Sequence, residues 1–150
     1  MKLIITKCSM WIALCAFLFS FSTIGGESYT IHLNEKLIAE YFVTSKATVP
    51  SLSLDRSAAN DQLSIYYNEC GKIGKERRLT IKDEKDNVLK EWRFSNTNGE
   101  HTPMTCKGND ILNLKQKGSN KLKLVYSSRA VLKGRLLAII VLTDELKARN

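Results

Sequence analysis

The sequence predicts an all-β fold, an antiparallel sandwich of jelly-roll or immunoglobulin-like connectivity, on three observations. Apolar residues recur at every second position from Ser28 onward, and turn-forming dipeptides separate these runs. A late stretch with no polar residue, Leu136–Leu142, is too short to cross a bilayer and fits an inner strand of a sheet.

Tyr29, Ile31 and Leu33 alternate with Ser28, Thr30 and His32, as a half-buried strand requires. The next segment, 34–43 (NEKLIAEYFV), reads two ways. As a helix, Asn34 is its N-cap and Leu37, Ile38, Tyr41 and Phe42 cluster on one side. As a strand, Leu37, Ala39, Tyr41 and Val43 share a face, and the aromatic and β-branched finish favours this reading. Leu63, Ile65 and Tyr67 form another alternating run, as do Leu79 with Ile81 and Trp92 with Phe94. Asp86-Asn87 gives a tight reversal between two of them, and Asn98-Gly99, Lys107-Gly108 and Gly118-Ser119 punctuate the later runs. The segment Asn109–Lys117, capped by Asn109 and stopped by Gly118, reads as one short helix or as a strand, with the helical turn at least as well supported. Leu122, Leu124 and Tyr126 make a further strand. The expected core is Leu63, Ile65, Leu79, Ile81, Leu122, Leu124 and most of Leu136–Leu142.

The N-terminus reads as an address. Lys2 and Lys7 precede a run of 17 residues, Cys8 to Ile24, with no charge, and small residues from Ser20 to Gly26 follow its apolar centre. This is the layout of a secretory signal over residues 1–25, cut between Ser22 and Gly26, ahead of a single domain over 26–150. A retained anchor is the alternative, although the run sits at the lower limit for a membrane span. After cleavage no spanning segment is expected, and the protein is expected to be secreted or periplasmic.

Cleavage also changes the charge and the cysteines. The chain has 23 Lys+Arg against 15 Asp+Glu, and loss of Lys2 and Lys7 leaves a net charge of +6. Cys8 and Cys15 leave with the signal. The remaining pair, Cys70 and Cys106, is expected to form a disulfide in an oxidising compartment, stabilising the fold by roughly 3–4 kcal/mol.

Two features suggest binding. The segment 70–78 (CGKIGKERR) sets Lys72, Lys75, Arg77 and Arg78 around two glycines, where cations and backbone amides can face an anion. Tyr66 and Trp92 can stack on a sugar or a partner side chain if they share an outward face. Catalysis has few footholds. His32 and His101 are the only imidazoles, no Gly-x-Ser-x-Gly elbow is present, and Glu100-His101 sits in a polar loop. Asp83, Glu84, Asp86 and Asn87 lack the calcium-loop order and alternate with Lys82 and Lys85, so a hairpin turn explains them better than a metal. The expected protein is therefore a small exported, non-catalytic binding domain of the cell envelope or extracellular space, without metal or cofactor. Its partner is expected to be an envelope protein or a glycan, with weak polyanion affinity and no specific nucleic acid. An envelope-associated enzyme and a structural protein joined through sheet edges are the alternatives.

Overall fold

The computed structural model describes residues 26–43, 48–97, 102–116 and 119–144. The expected signal, Glu100 and His101, and the turn residues Asn98, Gly99 and Gly118 lie outside these.

Among the described residues, nine strands make two packed sheets. The first contains β1 (Ser28–Leu33), β2 (Lys36–Phe42), β4 (Gln62–Asn68) and β7 (Met104–Lys107) in the order β2-β1-β4-β7. The second contains β3 (Ser51–Leu54), β5 (Arg78–Lys82), β6 (Val88–Arg93), β8 (Lys121–Ser127) and β9 (Arg135–Leu142) in the order β3-β9-β8-β5-β6. All pairings are antiparallel except β3 with β9. In space β4 and β7 lie as strands B and E of an immunoglobulin sandwich, and β5, β8 and β9 lie as C, F and G, with β6 at C′. Of the two connectivities the alternation allowed, this is the immunoglobulin-like one.

Period two fixes which residues meet between the sheets. Leu63, Ile65, Leu79, Ile81 and Leu124 are fully buried, and Leu122, Leu137, Ala138, Ile140 and Leu142 join them. Full burial of each large aliphatic side chain stabilises the fold by about 1.5–3 kcal/mol. β9 lies inside its sheet as its composition suggests, with Ile139 and Val141 half-buried on the outer face.

Segment 34–43 is strand from Lys36, and Asn34 is a turn residue instead of a helix cap. Asn34 and Glu35 take φ of 49° and 67°, the left-handed geometry of a two-residue hairpin turn. The Asn34 side chain donates to Asp61 Oδ1 at 2.6 Å and accepts from the Gln62 amide at 2.8 Å, which ties the turn to the start of β4. The reversal at Asp83–Asn87 is likewise self-contained. Asp83 accepts from the amides of Lys85 and Asn87 and from Asn87 Nδ2, each at 2.8 Å, so its carboxylate closes the hairpin.

The short helix, α1, spans Gly108–Leu112 and begins at the Lys107-Gly108 junction, one residue before the expected cap. It packs on a 3₁₀ turn at Arg56–Asn60. Glycine is required at that contact. The Gly108 amide reaches Asp61 O at 2.8 Å, and a Cβ would lie 1.8 Å from the Ala58 carbonyl oxygen.

Tyrosines cross the sandwich. Tyr29 of β1 lies between Tyr41 of β2 and Tyr67 of β4, with ring centroids 5.7 and 6.1 Å away. Tyr67 then stacks on Tyr126 of β8 at 4.0 Å. Each of the three inner hydroxyls has an acceptor: Tyr29 the Leu137 carbonyl at 2.8 Å, Tyr67 Glu27 at 2.6 Å, and Tyr126 Glu69 at 2.5 Å. The stacked pair joins the two strands, B and F, that antibody domains link with a disulfide.

Candidate binding surface

The segment 70–78 connects β4 to β5, so it is the B–C loop at one end of the sandwich. Cys70 and Gly71, with φ of 53° and 74°, form the tip of a hairpin in which Lys72 N donates to Glu69 O at 3.0 Å. Gly74 donates to Thr97 Oγ1 at 2.9 Å and accepts from Thr97 N at 3.0 Å. A Cβ on Gly74 would sit 2.8 Å from Arg77 Cδ, so this glycine makes room for the arginine side chain. The Gly71 amide goes to Asn68 Oδ1 and the Glu76 amide to Asn96 Oδ1. The amides of Gly71, Lys72, Gly74 and Glu76 thus fold the loop onto its neighbours and do not form an anion nest.

Arg77 is not a surface ligand. It is 2% exposed, and its guanidinium donates twice to Ser95 O, at 2.8 and 3.0 Å, and once to Thr102 O at 2.8 Å. Burial pulls its pKa down from the ordinary arginine value, while Tyr126 and the buried Glu69 oppose that shift. Arg77 therefore fastens the segment after β6 to the sandwich.

The expected disulfide is absent, because the register separates its partners. Cys106 of β7 lies opposite Leu63 near the start of β4, whereas Cys70 follows the far end of that strand. Cys70 lies seven positions beyond Leu63 along extended chain, which places the two Cα atoms roughly 20 Å apart, against a limit of about 7 Å for a bridge. Both cysteines are free, Cys70 exposed and Cys106 buried. Burial, with a smaller effect from Asp110, pushes the Cys106 thiol up to about 12. In a chain that begins at Gly26, a maleimide is expected to label Cys70 in the native state and Cys106 only after denaturation. Labelling of Cys106 in native protein would contradict this packing.

Tyr66 and Trp92 do not share a platform. Tyr66 is on the outer face of the first sheet, edge-on to His32 with centroids 5.0 Å apart. His32 is held there by Thr30 Oγ1 at 3.1 Å and Glu35 O at 3.2 Å. Trp92 is in the other sheet, opposite Leu79, and packs against the core with Lys90 Nζ 5.1 Å from its ring centre. Lys90 also pairs with Asp110 of α1 at 3.2 Å, closing the sandwich beside β6.

The loop does present charge beside apolar area. Lys72 and Lys75 are exposed, and Arg78 lines a small hollow with Glu76, Ser127, Ser128 and Leu132. The F–G loop, 128–134, adds Arg129, Leu132 and Lys133. Arg129 N donates to Lys75 O at 2.9 Å, and its guanidinium pairs with Glu76 at 2.7 Å, so the two loops are joined. Leu132 is 82% exposed and Ile73 50%. Among the described residues the side chains of Lys72, Lys75, Arg78 and Lys133 carry no ion pair. Sequence reasoning missed the F–G contribution, since residues 129–133 meet the B–C loop only through the β5–β8 pairing. The signal was there in SRAVLKGR, a basic turn with exposed-type spacing before the apolar β9 run.

Among the described residues two further clefts are present. The larger, about 450 Å³, is at the opposite end between α1 and the end of β9, where Lys115 and Asp144 pair at 2.7 Å. The other, about 290 Å³, lies between Phe42, Val49 and Arg135. No protein-family model matches the chain, and no curated protein matches it significantly.

Proposed function

We propose that this chain is a small exported, non-catalytic binding domain that meets an anionic partner, a glycan or an acidic protein face, with the B–C and F–G loops. The observation that carries the reading is the joining of those loops around Lys72, Lys75, Arg78 and Lys133. Cations without counter-ions raise the local potential and speed encounter with anions. The bonds from Gly74 to Thr97 and from Arg129 to Lys75 fix the loops, which lowers the ordering cost of binding. This end carries exposed apolar area beside its charge.

Assembly through a sheet edge is a second reading, favoured by β2. That strand forms one edge of its sheet and exposes Leu37, Ile38 and Phe42. The bulge opposite Ile31 and His32 distorts the same edge and works against repeated pairing.

The test of the first reading uses immobilised heparin as the anionic probe. The protein is expected to be retained, and a Lys72→Glu/Lys75→Glu variant to elute at clearly lower salt. Equal elution of the two would overturn the loop end as the binding face.

A further inference from the structure

We infer that the loop end docks on the surface of an anionic lipid bilayer, with Ile73 and Leu132 entering the headgroup region and the neighbouring cations resting on lipid phosphates. The inference rests on the reading of this end as a face for anionic partners and takes a lipid surface, in place of a glycan or a protein, as what it meets. Three observations point to a bilayer in preference to a soluble polyanion.

The first is the pairing of apolar and cationic residues. A soluble anionic glycan is served by charge and hydrogen bonds, and it gives an 82%-exposed leucine nothing to cover it. A membrane interface takes both, since apolar side chains partition below the headgroups while cations stay at their level. Leu132 stands between Val131 and Lys133 on one loop, and Ile73 between Lys72 and Gly74 on the other. Each loop thus carries an exposed apolar residue with a lysine beside it.

The second is the balance of charge at this end. Of the acids near it, Glu27 is engaged by Tyr67 and Arg135, Glu69 is buried beneath Tyr126, and Glu76 is paired with Arg129. Lys72, Lys75, Arg78 and Lys133 keep their charge uncompensated among the described residues.

The third is where the chain enters. Ser28 pairs with Asn68 and Phe42, so Gly26 and Glu27 lie at the same end as the B–C loop. The stretch without charge that begins at Cys8 runs as far as Gly26, beside Glu27. The chain that carries the expected export signal thus joins the domain at the loop end.

The experiment is co-sedimentation of the protein with two kinds of vesicle, phosphatidylcholine alone and phosphatidylcholine containing phosphatidylglycerol. Binding is expected only to the anionic vesicles and is expected to fall as salt rises. Loss of each cation near the surface weakens partitioning about fivefold, so Lys72→Gln/Lys75→Gln is expected to lose about 25-fold. Leu132→Ser, at an exposed position that leaves the core intact, is expected to lose about tenfold on vesicles while its elution from heparin is unchanged. Retention on heparin without vesicle binding would overturn the bilayer and leave the anionic-partner reading standing. Failure on both would end that reading as well. Equal binding to neutral and anionic vesicles, or vesicle binding unaffected by Leu132→Ser, would also overturn the inference.

Discussion

Arg77→Ala is expected to destabilise the domain by about 3–5 kcal/mol, the cost of breaking a buried, hydrogen-bonded charge. The substitution leaves the carbonyls of Ser95 and Thr102 without the donors they now have, and it removes a cation that interacts with the buried Glu69. It also empties the space that Gly74 leaves for the arginine stem. In thermal unfolding the loss corresponds to a midpoint lower by about 10–20 °C. Arg77→Lys is expected to recover only part, because one ammonium cannot reproduce a planar fork that serves two carbonyls. A double variant, Arg77→Ala with Glu69→Gln, tests the electrostatic share. If the buried carboxylate is the main liability, removing its charge restores some of the lost stability, and the two changes are not additive. An arginine on a solvated loop would behave otherwise. Its removal would shift stability by no more than about 0.5 kcal/mol, and such a result would return Arg77 to the binding surface.

The burial of Arg77 was legible in the sequence, although the cluster of cations around it hid the signal. Positions 77, 79 and 81 share one parity, and Leu79 and Ile81 face the core, so Arg77 extends the inward face of β5 by one step. Glu69 does the same for β4 after Leu63, Ile65 and Tyr67. Alternation identified the strands because a strand with one buried face cannot slip by one residue without turning its apolar set outward. The same periodicity says nothing about which strands are neighbours. The cysteine pairing failed for that reason. Cys70 and Cys106 are near each other only if their loops lie at one end, and the β4–β7 register puts them at opposite ends. Tyr66 and Trp92 failed likewise, since each has a clear parity but the two belong to different sheets. The basic loop was visible as charge. Its apolar companion Leu132 became part of the same surface only once β5 was paired with β8.

Stability is expected to fall steeply above about pH 9, and by about pH 11 the loss reaches roughly 7 kcal/mol, comparable with the whole stability of a domain this size. Four buried acids cause it. Burial, aided by Tyr41, pushes the Tyr29 hydroxyl up to about 12, and Cys106 rises to about 12 as well. Tyr67 and Tyr126 are raised further, by burial first and then by donating to Glu27 and Glu69, bonds that exist only while the phenols keep their protons. In the unfolded chain the thiol and the three phenols ionise near their ordinary values, 9.0 for the cysteine and 10.0 for the tyrosines. Between those values and the folded ones the unfolded state holds fewer protons, so each group lowers stability as pH rises. The slope is about 1.4 kcal/mol per group per pH unit. The contribution is complete below about pH 9 and is lost through the folded values near 12. Denaturant unfolding measured at successive pH values reads the effect directly. Tyr29→Phe provides the control, because it removes one proton from the balance and only one neutral hydrogen bond, to the Leu137 carbonyl. At neutral pH it is expected to cost about 1 kcal/mol. Above about pH 10 its curve is expected to be shallower by one group's share and to converge on the wild type. Stability that stayed level to about pH 11 would mean that these four groups are solvated, and the tyrosine stack from Tyr29 to Tyr126 would not be the interior of the sandwich.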